Sequence, residues 1–151
     1  IVSTGTATDN DVQAAFDAVG HIQRHSSLAL ALLHATSEYP APAEHLNLRA
    51  IERMRSQFLD TVIGYSSHFA GISMPLVAYV LGARIIEAHF TLNRAMKGSD
   101  HAFSLEPNGL RRLARDLVRA HAAMGDGVKR PLEGEMPALI RQGKTPPLVG
   151  A

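Results

Sequence analysis

Two histidines, His68 and His89, each follow closely on a short apolar run, in Gly64-Tyr65-Ser66-Ser67-His68 and Ile86-Glu87-Ala88-His89. Two imidazoles on adjacent strand ends can share a divalent cation, with water and substrate oxygens completing its shell. With no cysteine to supply thiolate, mixed nitrogen and oxygen ligation suits Mn²⁺ or Mg²⁺ about as well as zinc. The plainer alternative is a pair of hydrogen-bonded rim or core histidines, since no H-x-x-x-H spacing or carboxylate triad sharpens the pair. Ser3, Thr4, Gly5 and Ser66 offer hydroxyl and backbone N–H donors to a phosphate; the same residue types are ordinary in turns. Tyr39, before Pro40, can hydrogen-bond a polar substrate or simply pack. Glu87, within an apolar run, belongs either to a site or to a structural ion pair. His34 reads as a core histidine satisfied by a hydrogen bond. Arg111, Arg112, Arg115 and Arg119, with Asp116 among them, read as a solvated helix face.

These residues need elements to hold them. Four short apolar runs, Ile1 to Ser3, Leu28 to His34, Thr61 to Ser66 and Ala83 to Phe90, have the character of parallel strands buried on both faces. Helical patterns alternate with them. Thr8 and Asp11 form a capping box ahead of Val12, Phe16, Val19 and Ile22 on one face. Asn47 is positioned to cap a second helix, with Leu48, Ile51, Phe58 and Leu59 inward and Arg49, Glu52, Arg53 and Arg55 outward. A third runs from about Ile72 to Leu81, with Pro75 in its first turn and Gly82 as its stop. A fourth, from Pro107 to Gly125, is expected to bury Leu110, Leu113, Leu117 and Val118. Strand–helix alternation of this kind implies right-handed crossovers and a parallel sheet. Working groups then gather beyond the carboxyl ends of the strands.

Apolar residues make up 46% of the 151, charged residues only 19%, and the formal net charge is +1. That balance leaves no electrostatic footprint for nucleic acid or an anionic membrane. No apolar run is long enough to span a bilayer, and the N-terminus lacks signal-peptide character; a cytoplasmic location is expected. The chain opens on Ile1-Val2-Ser3-Thr4-Gly5 rather than Met, which reads as the end of a longer strand. A closed (β/α)8 barrel takes about 250 residues, so four βα units over residues 1–124 amount to half of one. A doubly wound sheet is disfavoured because no G-x-G-x-x-G follows any strand. Residues 125–151, rich in Gly, Pro and charge, read as a linker or tail.

Ser3-Thr4-Gly5, His34-Ala35-Thr36-Ser37-Glu38-Tyr39-Pro40, Asn47-Leu48-Arg49-Ala50-Ile51 and Gly64 to His68 form one set of motifs with Leu81-Gly82-Ala83. A more distinctive set is Ile86-Glu87-Ala88-His89-Phe90-Thr91-Leu92 followed by Gly98 to Pro107. In this order and spacing the sequence resembles the C-terminal half of the catalytic barrel of the N-acetylneuraminate (sialic acid) synthase family, over roughly residues 1–140. The resemblance implies condensation of phosphoenolpyruvate with an N-acylamino sugar of the N-acetylmannosamine type, giving a nonulosonic acid and phosphate. It implies His68 and His89 as ligands of Mn²⁺ or Mg²⁺, and Ser3 and Ser66 as phosphate-holding serines. Tyr39 and Asp100 match sugar-contacting positions, Ser37 stands where some members have Asn, and Glu87 matches a Glu common in the family. Ser67 departs from the Asp that many members place before the first histidine.

The family's first four βα units supply lysines and an acid/base Glu that have no counterpart here, and its C-terminal antifreeze-like domain lies beyond the tail. The resemblance thus implies an incomplete site, an isolated chain without synthase activity, and a homodimeric parent. A non-catalytic half-barrel remnant that self-associates or binds a partner is the competing reading.

Overall fold

The computed structural model describes residues 1–23 and 29–145, without the side chains of 21–23. The chain divides into two compact units, Ile1–Ala120 and His121–Ala151. In the first, strands β1 (Val2–Ser3), β2 (Ala31–Ala35), β3 (Val62–Ser67) and β4 (Ile86–Ala88) alternate with helices α1 (Asp9–Gln23), α2 (Ala50–Gln57), α3 (Ser73–Val80) and α4 (Pro107–Met124), the last turn of α4 belonging to the second unit. The sheet order is β1-β2-β3-β4 and every pairing is parallel. The fold is therefore α/β, with each strand beside its predecessor in the chain.

Period-two alternation separates the two faces of the sheet. Leu32, Ile63 and Tyr65 belong to a core shared with Val12 of α1, Ile51, Met54 and Phe58 around α2, and Ala78 of α3. Phe16 and Phe58 bring their rings to 4.9 Å and tie α1 to the end of α2. The register Ser3–Leu33–Gly64 and Ala35–Ser66–Glu87 places the alternate residues together on the opposite face. Sequential parallel order with right-handed crossovers puts successive helices on a single face, and the shared core of α1, α2 and α3 agrees.

The capping box forms as expected. The Asp11 carboxylate accepts from the Thr8 N–H at 2.8 Å, and the Asp11 N–H donates to the Thr8 hydroxyl at 3.3 Å. Gly82 ends α3 at φ 108°, where a Cβ would run into the Arg55 side chain of α2.

Several expectations are corrected. Asn47 does not cap α2: it takes φ 42°, the helix starts at Ala50, and the capping position, Arg49, makes no side-chain cap bond. Leu59 is 83% exposed, because the helix ends at Gln57 and Leu59 falls in the following turn. In α4 only Leu113 is buried; Leu110 is exposed and Val118 is 70% exposed. β4 is three residues long, and beyond it Phe90 bridges to Leu105 instead of continuing beside β3. The expected strand start at Leu28 lies outside the described residues. The four arginines of α4 are exposed as anticipated; Arg115 donates to the Asp116 carboxylate at 2.8 Å, and Arg119 forms a longer ion pair with the same carboxylate at 3.8 Å.

In the second unit, a 3₁₀ turn (Glu133–Glu135) leads into the short helix α5 (Met136–Arg141), with the Leu132 N–H donating to the Glu135 carboxylate at 2.9 Å. Among the described residues no helix is long and apolar enough to cross a membrane.

Candidate functional site

His68 stands one residue past β3, with the segment after β2 wrapped around it. Its Nδ1 lies 2.6 Å from the Thr36 carbonyl, and its own carbonyl accepts from the Ala41 N–H at 3.0 Å. A carbonyl only accepts, so Nδ1 carries the ring proton and Nε2 keeps the lone pair of the neutral ring. Tyr39, preceding a cis peptide bond to Pro40, lays its ring 4.1 Å from that of His68.

His89 follows β4 and is held by its backbone, its carbonyl accepting from the Leu105 N–H at 2.8 Å. Its ring meets His68 edge-on at 5.3 Å and Phe103 at 5.0 Å, and its Nδ1 lies 3.5 Å from the Asp100 carboxylate. Asp100 is set by its own loop: its carbonyl accepts from the Ser104 hydroxyl at 2.5 Å, while the Arg94 guanidinium donates to the Ser104 carbonyl at 2.8 Å. Tyr39, His68, His89 and Asp100, far apart in sequence, thus form one cluster with Phe103.

The remaining candidates fall beside this cluster. Ser66 is buried on β3 and donates to the Glu87 carboxylate at 2.6 Å. Glu87 itself is exposed rather than buried, and no ion pair to it exists among the described residues. Ser3 is exposed on β1, two strands from Ser66. Ser37 is exposed with its hydroxyl against Gly5, where a Cβ would not fit. His34 is the satisfied core histidine anticipated, buried with Nε2 2.7 Å from the Leu46 carbonyl. The hydroxyls of Tyr65 and Ser67 are buried without a well-formed hydrogen bond; burial pushes the Tyr65 phenol above its ordinary value, and the neighbouring Ser67 hydroxyl opposes the shift.

Sequence reasoning places Phe103 within a motif without giving it a role, and it misses the Thr36 carbonyl altogether. A backbone acceptor leaves no residue-type signal. Phe103 had one: an aromatic three residues after Asp100, in the same loop.

Among the described residues no three His, Cys, Asp or Glu side chains converge as a metal-holding group. The donors present nonetheless fit a divalent cation. His68 has its ring oriented through Nδ1 by a carbonyl, as metal-binding imidazoles commonly are, and His89 stands beside it with a carboxylate near its own Nδ1.

The model of the NeuB family matches residues 1–129. The chain belongs to the NeuB family. Its relatives include the N,N'-diacetyllegionaminic acid synthase of Legionella pneumophila, 37% identical over 96% of this chain and 41% of that protein. The N-acetylneuraminate-9-phosphate synthase of Homo sapiens is 42% identical over 75% of the chain and 32% of its own length. Among solved structures, an N-acetylneuraminic acid (sialic acid) synthetase from Leptospira borgpetersenii, in complex with citrate, superposes with a TM-score of 0.77 at 33% identity, over 94% of this chain and 48% of that one. This NeuB chain spans about two fifths of the length of the bacterial synthases it matches.

Proposed function

We propose that this NeuB chain is the C-terminal half of the (β/α)8 barrel of a synthase that condenses phosphoenolpyruvate with an N-acylamino sugar to give a nonulosonic acid and phosphate. The observation that carries the reading is the cluster of Tyr39, His68, His89 and Asp100 at the carboxyl ends of β2, β3 and β4, where barrel enzymes keep their chemistry. The order β1-β2-β3-β4 supports the barrel, since a doubly wound sheet reverses its order at a switch point.

In the reaction, the methylene carbon of phosphoenolpyruvate bonds to the sugar's aldehyde carbon; water adds at the adjoining enol carbon, and phosphate leaves from it. A divalent cation, Mn²⁺ or Mg²⁺, would be held by His68 and His89, and when bound it supplies Lewis-acid polarisation of an oxygen. The protein's own residues do the rest. Thr36 fixes the His68 ring through Nδ1. Tyr39 and Asp100 flank the two histidines and offer hydroxyl and carboxylate partners to sugar hydroxyls. Ser66, with its hydroxyl now on Glu87, is a donor for phosphate oxygens once it rotates away. Glu87 then holds or releases a proton beside the reacting carbons. Ser3 and Ser37 extend the polar rim toward β1. Residues 125–151 as a linker or tail, and a cytoplasmic homodimer as the parent, belong to the same proposal.

The test is phosphate release by the native-length protein, supplied with phosphoenolpyruvate, Mn²⁺ and, in turn, N-acetylmannosamine, its 6-phosphate and diacetamido sugars. Turnover with one acceptor is expected. His68→Ala and His89→Ala should each lower activity by about a hundredfold or more and weaken Mn²⁺ binding seen by calorimetry. Unchanged metal affinity in both variants would remove the histidine assignment.

A further inference from the structure

Tyr39 is 51% exposed and still keeps its ring 4.1 Å from His68. The ring also lies beside His89 and Phe103, but with half of its surface open its position depends as well on the backbone of the 36–49 segment. That segment contains no more regular structure than the 3₁₀ turn Ala43–His45.

Its outgoing leg is tied to β3 by the Thr36 carbonyl and the Ala41 N–H, both bonded to His68. Its returning leg is tied to the sheet by His34. There the Nε2–H donates to the Leu46 carbonyl at 2.7 Å, and both residues are buried. The Leu46 side chain is packed in the core at this base, but the packing is incomplete beside it. A cavity of about 180 Å³ opens there, bordered by His34, Ala35, Asn47, Met54 and Phe58 among others. With that opening beside Asn47, the hydrogen bond acts together with the buried Leu46 side chain to fix where Leu46 ends and where Asn47, at φ 42°, turns the chain into α2.

We propose that His34 is a positioning residue for the acceptor-sugar side of the site: by holding the returning leg at Leu46 it keeps Tyr39 seated against His68. The sugar assignment rests on the function proposed above; the seating of the loop does not.

The experiment compares three variants of the native-length protein: His34→Ala, His34→Gln, whose amide N–H can donate to the same carbonyl, and the core control Ile51→Val. One readout is amide hydrogen exchange at Ala41 relative to the β2–β3 ladder. The other is KM for the amino sugar set against KM for phosphoenolpyruvate.

His34→Ala should speed Ala41 exchange about tenfold over the ladder and raise the sugar KM about tenfold, leaving the phosphoenolpyruvate KM within about twofold. His34→Gln should recover most of both, and Ile51→Val should move neither. Unchanged relative protection at Ala41 in His34→Ala, or the same pattern in Ile51→Val, overturns the proposal. Should His34→Ala not fold, His34→Asn, whose shorter amide falls short of Leu46, replaces it against His34→Gln, with the same results supporting or overturning the role. Absence of any turnover in the wild type would sink the synthase reading, while the exchange measurement still decides the role of His34.

Discussion

His34 and His68 are both tied to carbonyl oxygens, which places the proton on Nε2 of the first and on Nδ1 of the second. The same residue type therefore presents Nε2–H to a carbonyl in the core and Nδ1–H to a carbonyl at the rim. A third imidazole behaves differently. His45 lies 2.8 Å from the Glu38 carboxylate in the loop that carries Tyr39, and the hydrogen bond to Glu38, aided by its charge, raises the His45 pKa above the ordinary 6.5. A raised folded-state value means the pair stabilises the loop fully below the unfolded pKa and loses that contribution as pH rises through the folded one. NMR titration of the His45 ring should give a midpoint above 6.5 that returns to the ordinary value in Glu38→Gln; an unmoved midpoint in that variant would show that Glu38 is not the cause. Of the cluster, Phe103 shows no role by type, and Asp100 only the one implied by the family resemblance; His68, His89 and Tyr39 could be singled out in the sequence by type. Their partners could not, because Thr36 and Leu46 act through main-chain oxygens that every residue possesses.

Helix starts were legible where a side chain makes the cap and illegible where the backbone does. At α1, Thr8 and Asp11 satisfy each other's N–H groups, and the Thr8 hydroxyl bond is the leading cause that lowers the Asp11 pKa below its ordinary 3.8. Thr8→Ala should destabilise the native-length protein by about 1 kcal/mol, read as a shift in urea midpoint without change of slope. A depressed carboxylate value makes the Asp11 contribution present above pH 3.8 and lost as pH falls through the folded pKa. The Thr8→Ala penalty should therefore shrink in acid, and a penalty that stays constant down to about pH 2 would argue against the box. At α2 the same residue-type logic failed, since Asn47 takes up a left-handed turn, which Asn tolerates as readily as a capping role. Strand β4 was overextended because apolar character continues through Phe90, whereas ladder pairing there switches from β3 to Leu105. Apolar residues signal burial somewhere, not which neighbour supplies it.

At the scale of the molecule, the parallel order of the strands followed from strand–helix alternation, but the exposure of α4 did not. Leu110 and Val118 lie on the apolar stripe of a helix with a strongly amphipathic pattern and remain open to solvent, together with Phe90 and Leu92 beyond β4. An amphipathic stripe of this kind is written for a neighbour, and the relatives this chain matches are more than twice its length. The sheet has the same property: among the described residues β1 pairs with β2 alone and β4 with β3 alone, leaving two unpaired parallel edges. Unpaired edges and uncovered apolar surface drive association. The 151-residue chain by itself should therefore run in light scattering above the 16.3 kDa of one copy, with a mass that rises with concentration, bind an apolar dye, and show no synthase turnover. On the proposed function, co-expression with a barrel half that supplies four further βα units should suppress the self-association and restore turnover, because that half would occupy both edges. A concentration-independent monomer without dye binding would mean that the edges and the stripe are already satisfied, and that the half-barrel reading is wrong.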